Sequence, residues 1–310
     1  MKKMIRLFVA FGIVLVLAAC GSSDDKEEST TDGDSKEAEV PDTLVVGFVP
    51  SQESDTIADT VEPLTDRLSE ELGIEVKGQV MTSYNALVEA MGANQVQLGF
   101  IPAFGYVLAN EQYEVEVILK SIRHGAGSYK AQYVVRTDSG IETLDDLEDK
   151  IWAYADKGST AGYLFPASHL MEEFDYANAP ELESDFFSNT VAVGGHDTAA
   201  ITVYEGDADV ATTFDDVRTE LEDEYPDIMD ELTVIDYTEE IPNDTISVTK
   251  DLNKELVEEI KEVFLSFNDD DEMIKIMNDV YNWDAIDEAS DDEYEVVKET
   301  YQEFKDDIEL

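Results

Sequence analysis

Leu44-Val45-Val46-Gly47-Phe48-Val49 is a short apolar run closed by Pro50, and the alternation that makes the fold recognisable starts there. A continuous run of this length, rich in β-branched residues, reads as a strand buried on both faces. Residues 56 to 72 then place Ile57, Val61, Leu64, Leu68 and Leu72 at steps of three and four, an amphipathic helix that ends at Gly73. Ile74 to Val80 alternates like a strand, and Tyr84 to Met91 is helical, with Leu87, Val88 and Met91 on one face. Val96 to Ile101 and Val115 to Leu119 are further short apolar runs. Strand and helix alternate, which predicts α/β layers with a mostly parallel sheet.

The pattern resumes in the second half of the chain. Gln132 to Arg136 reads as a strand leaving a first lobe, and Asp138-Ser139-Gly140 as the turn that opens a second. Ile151 to Tyr154, Val191 to Val193 and Ala208 to Thr212 supply strands there, with helices near 163–174, 197–205 and 214–224. Leu232 to Tyr237 and Thr245 to Val248 resemble strands leading back, and the stretch from Leu252 onward is mainly helical. The expected organisation is lobe 1 over 43–131, lobe 2 over 132–245, and a return to lobe 1 with C-terminal helices over 246–310. Two lobes joined by crossing strands form a hinged cleft, a natural place for a ligand.

Upstream of the fold, Lys2, Lys3 and Arg6 precede an uncharged apolar run from Leu7 to Ala19, which is shorter than the ~20 residues a membrane-spanning helix needs. Residues 1–19 read as a signal peptide. Leu17-Ala18-Ala19-Cys20 resembles the lipobox of bacterial lipoproteins, in which the cysteine sulfur carries a diacylglycerol; Cys20 is therefore the expected lipidation site. That predicts an extracytoplasmic protein, lipid-anchored to the cell membrane. Residues 20–42 are acidic and nearly free of apolar side chains, the composition of a solvated tether.

The chain has 310 residues and carries 73 acidic against 20 basic side chains, a formal net charge of −53. Nucleic acid is a poor partner for such a surface, because phosphate contacts need Lys and Arg in excess. Disorder is excluded by the recurring apolar segments. An acidic surface of this kind repels itself in dilute buffer and is screened in concentrated salt, so a halophilic habitat is the expectation. With one cysteine, no disulfide staples the fold.

Two loops carry polar chemistry. Asp156-Lys157-Gly158-Ser159-Thr160-Ala161-Gly162-Tyr163 follows a strand and opens a helix. Unpaired N–H groups at a helix start favour an anion, and Ser159 and Thr160 add hydroxyls; the same residues also serve as an ordinary N-cap. Pro166 fits a helix that starts late and kinks one that starts at Ser159. Gly194-Gly195-His196-Asp197-Thr198 likewise follows a strand and precedes a helix, so His196 can offer a hydrogen bond or a charge to an anion, or simply cap the helix. His169, at a helical position, reads as a packing or surface residue.

These blocks carry a resemblance. Asp156 to Pro166 (DKGSTAGYLFP), Gly194 to Val203 (GGHDTAAITV), Asp207 to Val217 (DADVATTFDDV) and Ile241 to Ser247 (IPNDTIS), with Met81 to Met91 (MTSYNALVEAM) and Gly99 to Tyr106 (GFIPAFGY), resemble in order and spacing the phosphonate/phosphite/phosphate-binding lipoproteins of ABC importers. The resemblance implies a periplasmic-binding-protein-like (type II) fold: α/β, with two mixed or parallel sheets flanked by helices and a hinged interlobe cleft. It implies that Ser159 and Thr160 meet a phosphorus oxyanion, with Ala161 standing where many members have a third hydroxyl. It matches Tyr84 and Tyr129 to the family's aromatic contacts, His196 to its ligand-facing histidine, and Asp215 and Asp244 to its acidic positions. Asp244 would accept a P–OH proton, and Asp215 would meet an ammonium. Phe100-Ile101-Pro102 replaces a Trp-Tyr pair of other members, so part of the pocket wall differs. Ser159, Thr160 and His196 are expected to hold the anion without a buried Arg or Lys.

The implied partners are a small phosphorus oxyanion, the permease subunits with their cytoplasmic ATPase, and the membrane through the N-terminal lipid; no cofactor or metal is implied. The same fold with a sulfonate or a thiamine precursor is the near alternative. A hydrolase is a remote one, since no Gly-x-Ser-x-Gly elbow, Walker loop or His-Glu-x-x-His is present. A calcium site in runs such as Asp269-Asp270-Asp271 lacks the EF-hand pattern.

Overall fold

Leu44, Val46 and Phe48 are fully buried on the first strand, β1 (Thr43–Phe48), and the chain builds outward from it. The computed structural model describes residues 38–51 and 54–305. The signal peptide, Cys20 and the tether as far as residue 37 lie outside the described residues. After β1 come α1 (Ser54–Leu72), β2 (Glu75–Val80), α2 (Tyr84–Gly92), β3 (Leu98–Ile101), α3 (Ala103–Tyr113) and β4 (Glu116–Ile122). The second set is β5 (Ser128–Arg136), β6 (Ile151–Tyr154), α4 (Phe165–Glu173), the single turn α5 (Ala179–Glu181), β7 (Asn189–Ala192), α6 (His196–Tyr204), β8 (Val210–Phe214), α7 (Val217–Leu221), α8 (Ile228–Glu231) and β9 (Leu232–Pro242). The chain then adds β10 (Thr245–Val248), α9 (Lys254–Ser266), α10 (Asp271–Tyr281), β11 (Ala285–Glu288) and α11 (Glu295–Phe304).

Two mixed sheets result. The first is six-stranded in the order β11-β4-β10-β3-β1-β2, and the second five-stranded in the order β7-β6-β8-β5-β9. In the first, β1 pairs parallel with both β2 and β3, whereas β10 runs antiparallel between β3 and β4. In the second, β6 pairs parallel with β7 and β8, and β5 runs antiparallel between β8 and β9. Each sheet therefore has a central parallel strand whose neighbours were reached in opposite directions, the arrangement that leaves a crevice at the strands' carboxyl ends.

The chain crosses between the sheets through residues 123–127, after β4, and through residues 243–244, before β10. Asn243 ties the crossings together: its buried Nδ2 donates to the carbonyls of Ser121 and Ala126, both at 2.8 Å. β9 stays in the second sheet along its whole length, paired with β5.

Helix α1 buries Ile57, Leu64 and Leu68 completely, as its periodicity predicts. Helix α3 has no counterpart in the sequence reading. Ala103 to Ala109 are all buried, so it has no polar face and no stripe to recognise. The first core is aromatic: Phe48 stacks on Phe100 at 4.8 Å, and Phe100 lies 5.3 Å from Trp283. In the second, Trp152 stacks on Tyr163 at 5.5 Å and donates its indole N–H to Thr212 Oγ1 at 2.8 Å. No helix among the described residues is long and apolar enough to cross a membrane.

Candidate functional site

The Ser159 loop shows how local sequence aims side chains. Ser159 is extended and caps the turn after it, its Oγ accepting from Gly162 N at 3.0 Å. Thr160–Leu164 form a π turn, and α4 begins only at Phe165, with Pro166 in its first turn. Both readings of Pro166 are thereby reconciled. Proline has no N–H to give the carbonyl of Gly162; that carbonyl accepts instead from Thr212 Oγ1 at 2.5 Å. Gly162 has no room for a side chain, because a Cβ there would stand 2.8 Å from Ser159 Oγ and 3.3 Å from His196 Cε1. At Gly158 a Cβ would stand 2.8 Å from Tyr84 Cβ, so the loop presses directly against the start of α2.

His196 opens α6. Its backbone N–H donates to Ser51 O at 3.0 Å, and its Nε2 lies 3.2 Å from Ser159 Oγ. Thr160 Oγ1 accepts from Phe104 N, at the start of α3, at 3.0 Å. These two bonds join the second sheet's loops to those of the first.

Between them lies a small cavity at the carboxyl ends of the parallel strands of both sheets. It has about 30 Å³ of room for the centre of a water-sized sphere. Tyr84, Tyr129, Ser159, Thr160, His196 and Asp244 all line it. Six of the sequence-expected residues are thus brought together. Ala161 is buried within the π turn but does not line the cavity, and neither does Asp215.

Phe214, the last residue of β8, lines the cavity with its ring centre 5.0 Å from that of His196, and Asp215 follows in the turn beyond the strand. Asp215 lines instead a neighbouring cavity of about 180 Å³ with Asp216 and Asp284, and its Oδ1 accepts from Lys130 N at 3.2 Å.

Arg123 and Trp283 are among the cavity residues that escaped the sequence reading. Arg123 sits on the first crossing, with its side chain only 10% exposed, so the expectation of an anion site without a buried Arg or Lys is overturned. Its Nη2 lies 3.6 Å from Asp244 Oδ2 on the other crossing and donates to Tyr281 O at 2.5 Å. Its guanidinium carbon is 5.7 Å from the Tyr129 ring centre and 5.2 Å from that of Phe214. Trp283 follows α10 and closes the aromatic wall with Phe100 and Tyr281. An Arg directly after a strand in so acidic a chain was the available signal for the first; Trp283 carried none, because it arrives from the far end of the sequence.

Burial sets the protonation states. It pushes the His196 ring down to about 3, with Arg123 adding to the effect, so this histidine is neutral and offers a hydrogen bond rather than a charge. Burial also raises the Asp244 carboxyl above its usual range, against the pull of Arg123. Tyr84 and Tyr129 are raised by burial and keep their hydroxyl protons. Four polar atoms around the cavity have no hydrogen-bond partner among the described residues: Tyr84 OH, Arg123 Nε, His196 Nδ1 and Trp283 Nε1. Buried polar groups are seldom left so, and Arg123 Nε–H and Trp283 Nε1–H, which can only donate, call for an acceptor.

A two-lobed α/β protein with a buried, donor-rich cavity at the meeting of its sheets is of the binding-protein class. The family model described as "ABC transporter, phosphonate, periplasmic substrate-binding protein" matches residues 46–294, and the chain belongs to that family. The phosphate-import protein PhnD of Mycolicibacterium smegmatis is 28% identical over 208 residues, covering 66% of this chain and 63% of the relative. The phosphonates-binding periplasmic protein of Escherichia coli is 24% identical over 229 residues, covering 72% of this chain and 66% of the relative. The chain therefore spans a little under two thirds of the length of these curated relatives. Among solved structures, a binding-protein component of an ABC phosphonate transporter from Pseudomonas aeruginosa superposes with a TM-score of 0.75 at 21% identity, covering 84% of this chain and 85% of that one. PhnD1 of Prochlorococcus marinus, in complex with methylphosphonate, gives 0.73 at 20% identity, covering 84% and 97%. These two likenesses establish the fold.

Proposed function

We propose that this protein is the extracytoplasmic receptor of an ABC importer, capturing a compact phosphorus oxyanion (a phosphonate, phosphite or phosphate) in the cavity between its sheets. The observation that carries the reading is that the residues lining a space of about 30 Å³ include two buried donors, Arg123 Nε and Trp283 Nε1, without a partner among the described residues. A water needs roughly 10–15 Å³ by this measure, so the space suits a tetrahedral oxyanion with at most a short substituent.

Ser159 and Thr160 offer hydroxyls, His196 a neutral ring, and Tyr84 and Tyr129 phenolic protons. Asp244 selects a ligand that still carries P–OH, because its carboxylate accepts that proton. The two lobes close on the ligand, and the closed form is the one presented to the permease and its ATPase. Closure is favoured only to the extent that ligand binds the closed state better than the open one. The lipid on Cys20 keeps the receptor beside the permease. Catalysis is disfavoured by the same geometry: His196 Nδ1 has no carboxylate among the described residues to orient it for proton abstraction.

Calorimetry at high salt with methylphosphonate, phosphite, phosphate, 2-aminoethylphosphonate, a sulfonate and a thiamine phosphate tests the reading. The three compact phosphorus oxyanions should bind and the larger ligands should bind far more weakly. Binding confined to the sulfonate or the thiamine compound would overturn it.

A further inference from the structure

On the oxyanion reading above, we infer that Arg123 is itself a ligand-binding residue, its Nε–H donating directly to the bound anion from the crossing segment between the sheets. The guanidinium is placed but not used up. Its Nη2 is committed to the Tyr281 carbonyl at 2.5 Å, and the same nitrogen faces Asp244 at 3.6 Å. The rings of Tyr129 and Phe214 fix it at 5.7 and 5.2 Å. Nε remains buried beside the cavity with no partner among the described residues. A guanidinium has five N–H donors, cannot accept, and is never neutral in a protein. Trp283 Nε1, on the same wall, is likewise a donor without a partner there. An oxyanion, rich in acceptors, can satisfy both.

The pairing also explains how a carboxylate and an anion share one cavity. Among the described residues, Asp244 and Arg123 are the only acidic and basic side chains lining it apart from neutral His196. Arg123 offsets Asp244, so an incoming anion meets a cavity without net negative charge. A purely structural Arg123 would account for the bonds of Nη2 and leave Nε unexplained. Charge-assisted bonds of this kind are about twice as strong as neutral ones, and Lys reproduces the charge but not the planar fork.

The test tracks the Arg123 Nε–H signal in the purified protein labelled with 15N-arginine, as inorganic phosphate or methylphosphonate is added. In parallel, both ligands are titrated by calorimetry into the wild type, Arg123→Lys and Arg123→Met, with unfolding temperature as the check on folding. The signal is expected to shift with the same half-saturation as the calorimetric binding. Affinity is expected to fall roughly 100-fold in Arg123→Met and roughly 10-fold in Arg123→Lys. If the wild type binds while the Nε–H signal stays still and Arg123→Met binds equally well, Arg123 is only a structural staple and the oxyanion reading survives. If the wild type binds neither these ligands nor phosphite, the oxyanion reading falls with it. Should Arg123→Met fail to fold, the wild-type signal alone decides.

Discussion

The two sides of the cavity solve the same problem in different ways. The second-sheet side is built of neutral dipoles from one contiguous loop and one helix start, Ser159, Thr160 and His196. The opposing side is built of a charged pair and aromatic rings gathered from distant places: Tyr84 from α2, Arg123 and Asp244 from the two crossings, and Trp283 from beyond α10. The neutral side costs the free protein little, since its hydroxyls already have backbone partners. The charged side holds two ionisable groups in a dry place, where each depends on the other and on the occupant of the cavity. In a strongly acidic protein, one permanent cation, Arg123, is thus confined to the cavity beside Asp244.

The largest expected effect falls where the sides meet. Thr160→Val keeps the shape but removes the hydroxyl that accepts from Phe104 N and faces the cavity. Loss of a hydrogen bond to a charged ligand is worth about 1.5–3 kcal/mol, so methylphosphonate affinity should drop roughly 10- to 150-fold by calorimetry. An affinity within twofold of wild type would mean that the neutral side only scaffolds.

His196 provides the next effect, on stability. Its folded pKa is pushed down to about 3, below the ~6.5 of an unfolded histidine. The unfolded chain thus takes up the proton first, and the stability this residue contributes is present above about pH 6.5 and lost as pH falls toward 3. Between pH 7 and pH 5 the loss is about 2 kcal/mol. Denaturant titrations at the two pH values should show that the drop shrinks in His196→Asn. An equal drop in both proteins would show that His196 is charged in the fold.

The smallest effect is expected at Asp215. Because it faces the neighbouring cavity, Asp215→Asn should leave phosphate and phosphite affinities unchanged within twofold. A tenfold change would move the boundary of the site beyond Phe214.

The same contrast explains how much could be read from the chain. The alternating strands and helices were legible because each buries one face or one run, as in Ile57, Leu64 and Leu68. The Ser159 and His196 loops were legible because glycine, hydroxyl and helix-start signals sit side by side in sequence. Helix α3 was not, being buried all round from Ala103 to Ala109. Nor were Arg123 and Trp283, whose meaning depends on two crossings and a C-terminal return that only tertiary structure supplies. The resemblance fixes the position of Asp215 in sequence, whereas the turn after β8 places its side chain on the neighbouring cavity.

Two amides at the meeting point have a practical consequence. Phe104 N–H is held by Thr160 Oγ1 and His196 N–H by Ser51 O, each across from one sheet's loops to the other's. Neither bond survives separation of the two sides, whereas the helices around them stay intact. Deuterium uptake at these two positions, compared with the interior of α6, would clock how often the molecule parts. Slowing of both by added phosphate would show that phosphate holds the two sides together.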